Sequence, residues 1–489
     1  MTKKNLINFL LIASYTAITF FIGCIPEDSL QWSLDGSKGI YSKNGELFLV
    51  DGNSGSLTQV ASKETTTLWP AISLDGALFA YGQIIDVNDF NDSFKLLPPV
   101  EVKEIKAHAE ILGQKILADG IKDGNLPTLE GYSNEQHTAW VDQYLIEKAD
   151  KQLTQKIGPE IIKKIKEKKL TYYQLALAAT ADPNNKKILA ASSRQLWRPR
   201  FSPDAKLIAW VVDNIAGKTF EAGFDLYVAA VSEKEPPVLV VWSAAIGYDF
   251  RPDSKAIAYM KPEAEKFNND KSTLGSLVEQ TIIDPNGKLF ASPANLDGNT
   301  TPAVHICTGP VKEFAGILYC SWMYISYARD GRIFFSSSKM TLPSSKLDAE
   351  KQTIFCLDTF TGAVSEILPQ IAVDFTQGNS NLFALSHDGQ KFLLHGKKNT
   401  LGIYALGGDL NLSKPLIDDN ESFGDDAPPK LVAQWKGSDR VSCLVSEKSH
   451  YLTEDPNTPH QRKEIVILDT NGKLVQVLSK DWPDELLDY

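Results

Sequence analysis

The residues best suited to recognition stand together at Trp197, Arg198 and Arg200, just ahead of a Phe201-Ser202-Pro203-Asp204 turn. Tryptophan offers a large rigid face and arginine a forked donor, the side chains most enriched where binding energy concentrates. The competing reading is packing, in which Trp197 fills space between elements, as Trp69, Trp242 and Trp322 would near neighbouring turns. Other chemistry finds little support. No Gly-x-Ser-x-Gly elbow, His-Glu-x-x-His helix, complete Gly-x-x-x-x-Gly-Lys-Ser/Thr loop or Cys-x-x-Cys pair occurs. The seven histidines, at 108, 137, 305, 387, 395, 450 and 460, lack metal-ligand spacing. Of these, His387 in a turn and His395 at a strand end are expected to face solvent.

Asp86-Val87-Asn88-Asp89-Phe90-Asn91-Asp92 has the outline of a calcium loop. Phe90 and Asn91, however, occupy positions where such a loop needs an oxygen ligand and a glycine, so a polar loop is expected. The acidic run Asp418, Asp419, Glu421, Asp425 and Asp426 reads as solvated surface. The basic run from Lys163 to Lys169 reads the same way, with anionic headgroups or an acidic partner as its functional alternative. No catalytic residue, metal or cofactor is expected.

The 489 residues carry 50 Lys+Arg against 61 Asp+Glu, a formal charge of −11 that disfavours nucleic acid as a partner. With 43% apolar and 10% aromatic residues the composition is that of a folded globular chain.

After Lys3 and Lys4 the chain is uncharged from Asn5 through Pro26, the pattern of a secretory leader. Phe21-Ile22-Gly23-Cys24 resembles the bacterial lipoprotein signal. That resemblance implies cleavage after residue 23, a diacylglycerol on the Cys24 thiol and an acylated amine, such as a palmitate amide. An uncleaved anchor and simple secretion are the alternatives. Ile25 at the next position implies, by the same family analogy, outer-membrane sorting with the protein facing the periplasm or the cell surface. Cleavage would remove Lys3 and Lys4 and take the charge to −13. An exported chain is permitted disulfides. Cys307 and Cys320, which flank Gly309-Pro310, are the expected pair, whereas Cys356 and Cys443 sit inside apolar strand patterns as buried small hydrophobes.

The elements that must position these residues recur along the chain. A turn around Asp followed by an apolar strand appears at Trp32-Ser33-Leu34-Asp35-Gly36, Ile72-Ser73-Leu74-Asp75-Gly76 and Phe201-Ser202-Pro203-Asp204-Ala205. It returns at Phe250-Arg251-Pro252-Asp253-Ser254, Tyr327-Ala328-Arg329-Asp330-Gly331 and Leu385-Ser386-His387-Asp388-Gly389, with a worn seventh copy at Trp435-Lys436-Gly437-Ser438-Asp439. Each of the six clear turns holds either Gly after the Asp or Pro before it, two alternative ways to close one hairpin. Further strands such as Asp225-Leu226-Tyr227-Val228 follow, at intervals of mostly 40 to 60 residues, matching a propeller blade of four antiparallel strands.

The Phe-Ser-Pro-Asp turn, the Ile208-Ala209-Trp210 strand and the later Asp-Leu-Tyr-Val strand resemble the WD-like propeller repeat of TolB-type proteins. The resemblance implies an all-β propeller over residues 24–489, with seven blades favoured over six. It also implies that the Trp197–Arg200 segment lines an axial channel. Within it, helical spacing over Glu101 to Ala118 and Thr138 to Leu170 predicts a helical insertion at 86–171 in the second repeat.

The expected function is a non-enzymatic, lipid-anchored envelope scaffold that binds protein or peptide partners. The alternative is a small-ligand binder or enzyme using the channel; against it, the inner strands offer Trp, Arg, Tyr and Ser in place of Asp, Glu and His. A purely structural envelope component is a third possibility that the sequence does not separate from the first.

Overall fold

The apolar runs after each turn are continuous, and the structure shows why. In the computed structural model, the strand Leu207–Asp213 buries all of its first six residues. Ile208, Trp210 and Val212 face the preceding sheet, with Leu175 and Leu177, while Leu207, Ala209 and Val211 face the following one, with Ile257 and Tyr259. A strand sandwiched between two sheets needs apolar side chains at both parities of its two-residue period. That is the environment of a propeller blade.

The described residues are 29–61, 67–87, 170–192, 194–213, 223–232, 237–267, 273–289, 304–307, 317–319, 324–340, 347–367, 383–395, 401–406, 416, 433–447, 449–452 and 462–487, with 118, 119 and 122. They form seven antiparallel sheets, each from consecutive strands of the chain. Five have four strands, the fourth has a fifth strand off its path, and the sixth has three among the described residues. The first strands of the sheets, Ser29–Trp32, Thr67–Ile72, Leu196–Phe201, Tyr248–Phe250, Ile325–Tyr327, Phe383–Leu385 and Gln434–Lys436, converge around one axial cavity. The chain is therefore a seven-bladed β-propeller, and the worn copy at Trp435 opens the seventh blade.

The expected helical insertion needs correction at both ends. Leu78–Val87 and Leu170–Ala179 pair from Leu78↔Ala179 to Val87↔Leu170, so residues 86, 87, 170 and 171 are strand. Ile84, Ile85, Tyr172 and Tyr173 are types that favour an extended, half-buried backbone. The stretch between them lies outside the described residues except for positions 118, 119 and 122. Those three positions are helical, and the one complete helical element among the described residues is a 3-10 turn at Asp484–Leu486. The insertion leaves from the second-to-third strand connection, at the mouth opposite the Asp turns. The leader, Cys24 and Cys320 also lie outside the described residues, as does the side chain of Cys307. Cys356 and Cys443 are buried and unbridged, as their strand patterns required.

Four of the six clear turns share one side-chain hydrogen-bond scheme. Ser33, Ser73, Ser202 and Ser386 each donate a hydroxyl to the Asp two residues on, at 2.5 to 2.7 Å. The same hydroxyls accept the backbone N–H of Lys38, Leu78, Leu207 and Lys391 at 2.9 to 3.1 Å. The Ser37 backbone N–H, then the Ser33 hydroxyl, hold the Asp35 carboxyl below its ordinary range. The Pro-containing turns do not avoid the left-handed residue. Ala205 and Ser254 stand at φ 56° and 62°, beside 68° and 69° at Gly36 and Gly76. All six turns thus have one shape, and Pro presets the first turn residue without relieving the later one.

Among the described residues no strand crosses the junction between the first and seventh blades, and side chains join the two. Trp32 Nε1 donates to Ser442 Oγ at 2.9 Å and Trp482 Nε1 to Gly55 O at 2.7 Å. The Tyr41 hydroxyl donates to Leu486 O at 2.6 Å, and Lys436 Nζ to Gly52 O at 2.7 Å. The Tyr41 and Trp482 rings meet with centroids 5.1 Å apart within a shared apolar cluster.

Candidate functional site

Two inner strands carry the same irregularity. Thr67–Ile72 contains Leu68-Trp69-Pro70-Ala71, and Leu196–Phe201 contains Trp197-Arg198-Pro199-Arg200. In each, the two central residues stand opposite one residue of the neighbouring strand, as in a β-bulge. Trp69 and Arg198, each preceding a proline, adopt φ 42° and 47°. A left-handed residue with a side chain costs about 1 to 2 kcal/mol, and the proline, lacking an N–H, leaves no ladder donor behind. The bulge turns Trp69 and Arg198 toward the axis, where both line the cavity of about 720 Å³.

The guanidinium of Arg198, in the third blade, lies 4.2 Å from the ring centroid of Tyr324, just ahead of the inner strand of the fifth. This cation–π contact reaches past the fourth blade and narrows the deep end of the channel. Tyr248 of the fourth blade braces the bulge, its hydroxyl against the Arg198 carbonyl and 2.7 Å from Ala209 O. Burial drives that phenol's pKa well above its ordinary value.

Nearer the Asp-turn mouth, Arg200 Nη1 lies 2.8 Å from Asp249 Oδ1 and 3.2 Å from Tyr248 O. Asp249 also accepts the backbone N–H of Phe250 at 2.9 Å and of Tyr327 at 2.8 Å, tying three blades together. Burial raises its carboxyl pKa, with Arg200 opposing. His387 of the sixth blade lines the same cavity. It is half-buried, which corrects the expectation of a solvent-facing turn residue. Burial, then Arg329 and Arg200, push its pKa down to about 4, so it is neutral at pH 7. Arg329 is exposed at the mouth.

Of the three sequence candidates, Arg198 and Arg200 stand on the channel wall and Trp197 stands behind them. Trp197 is 4% exposed, with its ring 5.6 Å from Trp69 and 6.0 Å from Phe224. Its Nε1 donates to Asp213 Oδ1 at 2.8 Å. Behind this, Arg194 donates to the Asp213 carbonyl at 2.6 Å and pairs with Asp225 at 2.5 Å, almost fully buried. Burial raises the Asp213 carboxyl to about 7, against the pull of Trp197 and Arg194.

Sequence reasoning missed Asp249, Tyr324, Arg329 and the placement of His387. The repeated apolar-x-Pro-x-apolar pattern at Leu68–Ile72 and Trp197–Phe201 was the available signal for the bulges. An inner strand also supplies a carboxylate, Asp249, and the turns add Asp75 and the His387 imidazole, which corrects the expectation that the channel lacks such groups. Among the described residues, no group of three His, Cys, Asp or Glu side chains is placed to hold a metal.

A ring of seven self-contained sheets around a guanidinium- and aromatic-lined pocket defines the class: a seven-bladed β-propeller with an axial site. No family model matches the chain, and no curated protein does. Among solved structures it is similar to the β-propeller domain of the Trilobed protease from Pyrococcus furiosus, described as having an open velcro topology. That likeness has 10% identity and a TM-score of 0.46 over 95% of this chain and 99% of that one. It is also similar to TolB from Acinetobacter baumannii, at 18% identity and a TM-score of 0.33 over 62% of this chain. The match spans 58% of that TolB chain. Dipeptidyl peptidase 4 from Porphyromonas gingivalis is similar at 12% identity and a TM-score of 0.37, over 85% of this chain and 50% of that one.

Proposed function

We propose that this propeller is a non-enzymatic binding scaffold of the bacterial envelope that takes a protein or peptide partner at its axial channel. The carrying observation is the pocket itself. Arg198 and Arg200 are delivered to its wall by a strained bulge braced from the next blade. Strain held in place by surrounding structure is the mark of a position kept for use. Aromatic and guanidinium walls suit an extended segment with mixed apolar and polar side chains.

The leader and Cys24 support export and lipid anchoring, with Cys307 and Cys320 as the disulfide that an oxidising compartment would form. The segment between 88 and 169, emerging at the opposite mouth, is the proposed helical insertion and a second contact surface. Cross-linking in envelope membranes followed by pull-down is expected to recover a protein partner from the wild type and much less from Arg198→Ala/Arg200→Ala. Equal recovery from both would sink the channel as the binding site. Mass spectrometry of the amino terminus is expected to show an acylated Cys24; a free amine at Met1 would sink the anchor.

A further inference from the structure

The charged lining of the cavity is three guanidinium groups, Arg198, Arg200 and Arg329, against two carboxylates, Asp75 and Asp249, with neither lysine nor glutamate. A net cationic pocket in a chain of formal charge −11 is a local reversal that the composition does not require. Its donors are also available. Arg329 is exposed and makes no ion pair or side-chain hydrogen bond among the described residues. Arg200 is 40% exposed and uses only Nη1, leaving Nε and Nη2 without a protein acceptor among the described residues. Arg200, Arg329 and His387, from the third, fifth and sixth blades, line the same cavity. Asp75 is engaged in its own turn by Ser73 and Ala77.

We propose that the channel mouth binds an acidic peptide segment, with a carboxylate held between Arg200 and Arg329 beside His387. This rests on the reading of the channel as a peptide site and names the class of peptide. A guanidinium fork matches a carboxylate with two parallel hydrogen bonds, which a lysine cannot do. Two available forks suit one or two carboxylates, whereas a nucleic acid strand would bring a row of phosphates to a surface that is acidic outside the pocket. Trp69, deeper on the wall and half-buried, offers a face to an apolar residue of the same segment.

The test is fluorescence anisotropy on the purified full chain with a labelled octapeptide rich in Asp and Glu, and its Asn/Gln counterpart. Saturable binding of the acidic peptide is expected, weakened about tenfold or more by Arg329→Glu and by high salt. Lys288→Glu, on an exposed turn away from the channel, should leave it unchanged. Arg329→Gln should fall between, and circular dichroism checks that each variant folds. Equal affinity for both peptides, or an affinity indifferent to Arg329→Glu, overturns the acidic assignment. If the Asn/Gln peptide nonetheless binds and Arg198→Ala weakens it, the channel reading survives that failure; if neither peptide binds and cross-linking recovers nothing, both fall. Full competition by citrate at matched carboxylate concentration, or tighter binding of single-stranded DNA, also overturns the peptide assignment.

Discussion

Asp213 is the residue through which the interior of the third blade should respond to pH. Its carboxyl moves from 3.8 to about 7 on folding, so between those values the native state holds a proton that the unfolded chain has lost. The stability this supplies is complete below about pH 4 and is lost as pH rises through 7. His387 acts in the opposite sense. Its imidazole falls from 6.5 to about 4, so its contribution is present above 6.5 and is lost as pH falls toward 4. Asp213→Asn keeps an oxygen for Trp197 Nε1 and removes the charge. Denaturation at about pH 5.5 and 8.5 should show the wild type losing stability relative to Asp213→Asn at the higher value. Parallel behaviour of the two proteins would remove Asp213 from the account. His387→Gln should flatten the acid limb of the wild-type profile and leave the alkaline limb alone.

At the scale of elements, one hairpin shape is met by two sequence solutions of unequal strain. Gly76 takes its left-handed backbone at no steric cost, whereas Ala205 at φ 56° crowds its Cβ against the backbone. Ala205→Gly should relieve about 1 to 2 kcal/mol of strain and give back about 0.5 to 1 kcal/mol in unfolded-chain entropy. The expected net gain is at most about 1.5 kcal/mol and centred on about 0.7 kcal/mol, read as a raised urea midpoint. A lower midpoint would mean that the turn is not strained. Ser254 is the poorer test, since its hydroxyl accepts the Asp204 N–H of the neighbouring turn. The turn motif was legible in the sequence because its Ser-to-Asp hydrogen bonds join residues two apart. The left-handed backbone of Ala205 and Ser254 was not, because nothing in their residue type announces it. The strand ends are not legible in sequence: Asp86-Val87 reads as a polar loop, and at 170–171 apolar spacing over a short run suits helix and strand alike.

For the whole molecule, stability depends on a ring that, among the described residues, side chains close and no strand does. The first blade is held to the last by Trp32, Tyr41, Lys436 and Trp482, whose partners lie some four hundred residues away along the chain. Trp482→Ala should cost about 3 to 5 kcal/mol, through lost burial and the stranded Gly55 carbonyl. Tyr41→Phe keeps the ring contact and should cost about 1 kcal/mol for its hydroxyl bond to Leu486. Denaturation midpoints compare the two, and a loss below about 1 kcal/mol for Trp482→Ala would show that blade packing alone closes the ring.

The sequence alone showed the repeat, the Ser-to-Asp turn and the apolar strands that bury Cys356 and Cys443, while the count of seven blades, favoured over six, was decided by the sheets. The first three are written in residues a few positions apart, where backbone geometry and strand period act directly. The sequence also placed Arg198 and Arg200 on an inner strand. It did not show that Arg198 reaches Tyr324, that Arg200 is joined to the fifth blade through Asp249, or that His387 turns inward beside two guanidinium groups. Those are meetings between blades. They exist only once seven sheets close around an axis, because the distance that decides a charge's environment is measured through space and not along the chain.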